Sequence, residues 1–375
     1  GELGLALSTS IGAVLNSPYS TVFCIVGDGE FEAGSTMQAF LSQDLLTPGR
    51  DGFLVSAINI NGYKMGSRSI ISTWNNERIA AFFSSLGLRP FLCEISHESV
   101  ISVIEQVYTL YSDWIAGRKC PLPVILLRSD KGFGGPNTIA GQRFVGTHNS
   151  HKVDKLKYPL RLSDAPDIIN KWLESYKADE LFNDDGTLVQ NVMANLPSPL
   201  LRLGSYFKVR KSQPQRYRYS KLKESILRKE ARAVGESDSS MACIACCLTR
   251  LLSEHSNPFL VFSPDEASSN QLKPVIEAWG LRGNVQNESS VPLSSDGKII
   301  EILNESCCHG FLQGHLQSQR DGLYVTYEAF SPITASSISQ YYKFLKISNV
   351  CKWRNSTPSL KYILTSSGWR NCYTH

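Results

Sequence analysis

Asp28 stands between two glycines, in Gly27-Asp28-Gly29-Glu30, directly after an apolar run from Thr21 to Val26. Further along, Asn61-Gly62-Tyr63 follows a second apolar run, Phe53 to Ile60. An acid, an amide oxygen and a neighbouring backbone carbonyl make a hard donor set. Such a set suits Mg²⁺, which completes its octahedron with diphosphate oxygens and water. The flanking glycines let the backbone turn tightly and approach a ligand closely. The plainer alternative is a pair of turns between core strands.

The elements that must position these groups are legible around them. Both apolar runs are rich in β-branched residues and of strand length. Between them, Ser35 to Leu46 places Met37, Phe40, Leu41 and Leu45 on one helical face. Strand, loop, helix and strand in that order predict a parallel α/β sheet, whose ligands bind beyond the carboxyl ends of its strands.

Several blocks carry a family resemblance: GELGLALSTSIGA, VGDGEFEAG, PGRDGFL, INGYK, LLRSDKGFGGP, GTHNSHKV, FSPDEASSNQL, YEAF and SLKYILTSSGWR. In this order the chain resembles the phosphoketolases, thiamine-diphosphate enzymes related to transketolase. The resemblance implies two three-layer α/β domains with mainly parallel sheets, both incomplete. A diphosphate-binding domain is expected over 1–200, a basic linker over 201–234 and a pyrimidine-binding domain over 235–375. It implies cleavage of xylulose 5-phosphate or fructose 6-phosphate with inorganic phosphate, giving acetyl phosphate and a shorter aldose phosphate. A homodimer is implied, because in this superfamily the cofactor lies between two subunits.

The resemblance also assigns residues. Asp28, Asn61 and the Tyr63 carbonyl are expected on Mg²⁺, with Gly29, Glu30 and Lys131 beside the thiamine diphosphate. A lysine among glycines at a strand end can reach a phosphate as a point charge; a solvated loop lysine is the alternative. His151 matches a functional histidine, and an imidazole can exchange protons near neutral pH. Glu266 and Ser269 fall on residues close to the aminopyrimidine and substrate; Asn270 suits them or a helix cap. Glu305 falls on the essential glutamate, which holds a proton at the pyrimidine ring. Tyr327 matches an aromatic packed on that ring, though core packing is as common for such a tyrosine. Arg354 matches an arginine that binds sugar phosphate. The chain departs from the family at Lys152, where Gln is usual, and at Ser306, where His is usual. The blocks beyond Trp369 are shortened. These departures leave a second expectation, a catalytically inactive relative that keeps the fold.

The totals bound the remaining classes. The chain has 375 residues, 42% of them hydrophobic, and a net charge of +4. That length predicts one large or two ordinary domains. Residues 202–232 hold eleven Lys or Arg against two Glu, so the basicity is local and the rest of the chain is acidic. Interleaved with Tyr206, Phe207, Tyr217 and Tyr219, this segment could serve a nucleic-acid binder. A linker over acidic surface is the preferred reading. Ten cysteines without scaffold density predict reduced thiols in a cytoplasmic protein. Cys243 and Cys246 lack a second pair at zinc spacing. No apolar run reaches membrane-spanning length. The opening at Gly1 suggests an internal piece of a longer protein, or a shortened relative.

Overall fold

A computed structural model describes residues 3–139, 141–151, 165–198, 233–237, 239–254, 259–265, 267–283, 293–351 and 357–365. The first half is built on a parallel four-stranded sheet, in the order β1-β2-β4-β3. Its strands are Thr21–Gly27 (β1), Phe53–Ile60 (β2), Arg89–Cys93 (β3) and Pro123–Arg128 (β4). β2 is apolar nearly throughout because it lies between β1 and β4 and is buried along almost all its length. β1 is an edge strand and alternates instead. Cys24 and Val26 turn into the core, while Phe23 and Ile25 stay exposed.

Helices Ala6–Val14 (α1), Gly34–Ser42 (α2), Asn76–Ser85 (α3) and His97–Ile115 (α4) pack around this sheet. Their starts follow local chemistry. The Asn75 side chain accepts the Arg78 N–H, and Ser96 accepts that of Ser99, so each satisfies an orphan donor of its helix. α1 begins at Ala6. Its first turn is fixed by Glu30, whose Oε1 accepts the N–H groups of Gly4 at 3.0 Å and Ala6 at 3.3 Å. Two short helices, Ala165–Glu174 (α5) and Gln190–Asn195 (α6), follow.

The second half carries a six-stranded sheet, ordered β12-β11-β7-β10-β8-β9, with every pairing parallel. The strands are Leu260–Ser263 (β7), Leu281–Arg282 (β8), Leu293–Ser294 (β9), Ile299–Glu301 (β10), Gly322–Tyr327 (β11) and Tyr362–Thr365 (β12). A small antiparallel pair, Thr138–Ile139 (β5) and Gln142–Arg143 (β6), lies in the loop after β4. Helices Ser240–Glu254 (α7), Lys273–Trp279 (α8), Glu305–Gln317 (α9) and Ala335–Val350 (α10) complete this half. Parallel sheets with helices between the strands are the expected fold class. Asn270 does not cap α8: Leu272 holds the cap position without a side-chain bond, and Asn270 Oδ1 instead accepts the Thr365 hydroxyl on β12.

The two sheets meet through α1 and α9. Leu7 and Ile11 on α1 join Phe311, Leu312 and Leu316 on α9 in one buried cluster. Glycine makes this approach possible. A Cβ on Gly12 would sit 2.0 Å from the Phe311 carbonyl oxygen, and one on Gly314 would sit 1.8 Å from that of Thr9. The seam is finished by Arg320, which donates to the carbonyls of Gly12 and Ala13 at the end of α1. The described cysteines are free thiols, with Cys243 and Cys246 on α7. Among the described residues no helix is long and apolar enough to cross a membrane.

Candidate active site

β1 and β2 run parallel in register, with Gly27 opposite Asn59. Their carboxyl ends therefore bring Asp28 and Asn61 to one edge of the sheet. Asp28 is 1% exposed. Its Oδ2 accepts the Gly62 N–H at 2.8 Å and the Ser69 hydroxyl at 2.6 Å. Its Oδ1 is buried with no hydrogen-bond partner. A buried carboxylate oxygen without a donor is costly unless something cationic meets it. Asn61 Oδ1 accepts the Tyr63 N–H at 3.1 Å, which folds the loop back. Gly62 has φ +92°, a left-handed backbone that favours glycine, and this turns its N–H toward the acid.

Lys131 reaches the same edge from the loop after β4. Its ammonium donates to the carbonyl oxygens of Tyr63, at 3.1 Å, and Lys64. Burial pushes its pKa below the usual lysine range, and the Asp28 charge pulls it back up. A carbonyl has two lone pairs, so Tyr63 retains one for a second partner. Ser129 donates to Asn59 Oδ1 at 2.7 Å and pins this loop to β2. A cleft of about 400 Å³ opens here, lined by Asn61, Gly62, Tyr63, Arg68 and Asp130 among others. Asp28 Oδ1, the Asn61 amide oxygen and the Tyr63 carbonyl are all of the oxygen type that a hard divalent cation takes. The Lys131 ammonium adjoins this set, where a diphosphate would add negative charge.

Not every expected group faces this cleft in the same way. Glu30 is engaged as the cap of α1, and its backbone neighbour Gly29 lies against the Lys64 side chain. His151 closes a short 3₁₀ turn, His148–His151, and is exposed. The same turn sends Ser150 against Gly132, and the His148 ring lies 6.4 Å from that of Tyr63. Lys152 lies outside the described residues.

The second sheet gathers its own set at adjacent strand ends. β11, β7 and β10 are neighbours. Tyr327 ends β11, Ser269 lies in the loop after β7, and Glu305 opens α9 just beyond β10. Glu305 is half-buried in the first helical turn, where a negative charge is favoured by the helix dipole. Asn304 caps that turn, accepting the Cys307 N–H at 2.8 Å. The Tyr327 ring meets Phe330 edge-on at 6.2 Å, and Ser269 is exposed. Glu266 and Arg354 lie outside the described residues.

Three positioning residues were not visible in the sequence. Ser69 holds Asp28, Glu301 accepts the Ala267 N–H at 2.9 Å, and Glu32 grips both the Lys64 ammonium and the Ile70 N–H. Glu301 anchors the loop that contains Ser269. None of these lies at a recognisable spacing from its partner, so no sequence signal marks them.

Residues 1–213 match the family model for the phosphoketolase N-terminal domain, and residues 243–375 match that for D-xylulose 5-phosphate/D-fructose 6-phosphate phosphoketolase. The chain belongs to the phosphoketolase family. It is 31% identical to a probable phosphoketolase of Nitrosospira multiformis, covering all of this chain and 50% of that protein. It is 32% identical to one of Rhodopirellula baltica, covering all of this chain and 49% of that protein. The chain thus spans about half the length of the curated phosphoketolases it matches. Among solved structures, a transketolase from Campylobacter jejuni aligns over 96% of this chain and 60% of its own, with TM-score 0.58 and 15% identity. That likeness places the phosphoketolase chain in the transketolase type of fold.

Proposed function

We propose that this chain forms the thiamine-diphosphate and Mg²⁺ site of a phosphoketolase acting on xylulose 5-phosphate or fructose 6-phosphate with inorganic phosphate. The products would be acetyl phosphate and a shortened aldose phosphate. The observation that carries the reading is the buried, unpartnered Asp28 Oδ1 beside Asn61 and Tyr63, in a chain of this family. Asp28, Asn61 and the Tyr63 carbonyl would hold the metal, and Lys131 would meet a phosphate oxygen. The bound coenzyme supplies a nucleophilic carbon that cleaves a carbon–carbon bond next to a ketone.

The chain's own groups would do the rest. Glu305 would keep a proton at the pyrimidine nitrogen, with Tyr327 as an aromatic platform and Glu266 and Ser269 close by. His151 would exchange a proton with substrate at the reaction centre, and Lys152 and Arg354 would meet its phosphate. Because each sheet gathers half of this set at its own edge, a homodimer would let one subunit's first half face the other's second half.

Calorimetric titration with thiamine diphosphate, with and without Mg²⁺, tests the site. Acetyl phosphate release from xylulose 5-phosphate and phosphate tests the reaction. Metal-dependent coenzyme binding with product supports the proposal in full. Binding without product would leave the coenzyme site and support the inactive relative instead. Absence of metal-dependent binding would overturn the site assignment.

A further inference from the structure

A second cavity lies at the opposite ends of the sheet strands from the candidate active site. It measures about 640 Å³ and is lined by Asn16, Arg50, Trp279, Arg282, Asp296 and Lys298, among others. Asn16 precedes β1, Arg50 precedes β2, Arg282 lies in two-residue β8 and Lys298 precedes β10. These are amino ends of parallel strands, whereas Asp28, Asn61 and Glu305 follow carboxyl ends. The length of β1 alone, at about 3.3 Å per residue, separates the two edges by roughly 20 Å.

The buried charges around this cavity do not balance. The side chains of Arg282 and Arg50 are 1% and 14% exposed, and among the described residues the carboxylate buried with them is Asp51, at 0%. Asp51 is fully engaged: it accepts the N–H groups of Asn16 at 2.7 Å and Thr47 at 2.9 Å, and Arg50 Nε at 2.9 Å. Arg282 donates to the Gly297 carbonyl at 3.0 Å and to Asn16 Oδ1 at 2.8 Å, but its Nη1 stays 3.8 Å from Asp51. Arg282 Nη1, Arg50 Nη1 and Trp279 Nε1 are all buried donors without an acceptor. Asp296 is 81% exposed and 3.7 Å from Arg50, and Glu277, which also lines the cavity, is 62% exposed and 3.8 Å from Lys273, so both are too solvated to neutralise the buried pair. Half-buried Lys298 adds a third cation, with no ion pair among the described residues. Burial lowers the Arg282 pKa to about 10, with Arg50 adding to the shift, and burial followed by Arg282 lowers that of Lys298. A buried excess of positive charge with idle donors calls for an anion.

We propose that this cavity is a second anion site, taking a small multivalent oxyanion of the phosphate or polyphosphate class. Lys298 meets the anion directly, while Arg50 and Arg282 neutralise it from the two sides of the seam. Arg50 belongs to the first half and Arg282 and Lys298 to the second, so the anion clamps the halves together. It is independent of the coenzyme reading, since no residue is shared between the two sites.

Titration of the full chain with inorganic pyrophosphate, free of Mg²⁺ and at constant ionic strength, tests this. One pyrophosphate per chain is expected, with a rise in thermal midpoint and a change in tryptophan emission that Trp279→Phe removes. Lys298→Met is expected to weaken binding at least tenfold, while Lys131→Met at the other edge leaves it unchanged. Equal affinity in Lys298→Met, or loss in Lys131→Met, would overturn the proposal. So would wild-type protein that shows no saturable binding, a result that does not depend on either variant folding.

Discussion

Asp28 and Gly62 are joined by a 2.8 Å hydrogen bond from the Gly62 N–H to Oδ2, and this bond ties together the ends of two neighbouring strands. It explains why the other carboxylate oxygen is left free. The Gly62 N–H and the Ser69 hydroxyl both converge on Oδ2 and leave Oδ1 without a donor. Asp28→Asn keeps an acceptor for both donors and replaces the free oxygen with an NH₂ group. The variant is expected to fold with an undiminished thermal midpoint when no metal is present. Its Mg²⁺-dependent affinity for thiamine diphosphate is expected to fall at least about tenfold, or ~1.4 kcal/mol. Calorimetry with parallel thermal melts reads both. A coenzyme affinity unchanged in the variant would remove Asp28 from the metal set.

Lys131 supplies a separable contribution. Its ammonium rests on the Tyr63 and Lys64 carbonyls, so Lys131→Met loses a positive charge and two donated bonds while keeping most of the stem. Charge-assisted bonds are worth about 1.5–3 kcal/mol. The expected result is weaker coenzyme binding by roughly tenfold to a hundredfold, with the Mg²⁺ requirement retained. If thiamine monophosphate lost affinity as much as the diphosphate, Lys131 would be serving the first phosphate in preference to the second. Comparing the two ligands in the same titration makes that distinction.

The seam between the halves predicts a stability effect away from any ligand. A Cβ at Gly314 would lie 1.8 Å from the Thr9 carbonyl, and backbone cannot swing aside as a side chain can. Gly314→Ala is expected to cost about 1–3 kcal/mol or more, as overpacking of a tight core does. Gly66→Ala is the matched control, because nothing lies within 4 Å of its Cβ position. Urea unfolding of the two variants measures the difference. Equal midpoints would mean that α1 and α9 can part without penalty.

The fold and site were not equally legible in the sequence. Phe53–Ile60 stood out because a buried parallel strand must be apolar along its length, and Thr21–Gly27 because its β-branched run is of strand length; their polar termini mark one edge of the sheet. The neighbouring places of Asp28 and Asn61 follow from the β1–β2 pairing. α9 was invisible because Cys307 to Leu312 are buried on every side, which erases the helical period. Strands of two residues, Leu281–Arg282 and Leu293–Ser294, carry too little pattern to detect. The Arg282 cluster was missed for a further reason. Asn16, Arg50, Arg282 and Lys298 meet only when the two halves dock, and no local spacing encodes a contact across that distance in the chain.

His309 gives the fold a definite acid response. It is fully buried on α9, with Nδ1 against the Tyr362 hydroxyl, and burial lowers its pKa from 6.5 to about 4, outweighing the raising influence of the nearby Gln313 side chain. Above pH ~6.5 the imidazole is neutral in both folded and unfolded chains and costs nothing. Between pH ~6.5 and ~4 the unfolded chain binds a proton that the folded chain refuses. Stability therefore falls as the pH drops through this window. The full shift corresponds to about 3 kcal/mol, and with no solvent exposure it needs no discount for screening. His309→Gln removes the titrating group, so its unfolding free energy should decline less over the same window. Urea unfolding of both proteins at several pH values between 4 and 7 reads the difference in slope. Parallel pH profiles would mean that His309 accepts its proton without leaving the core.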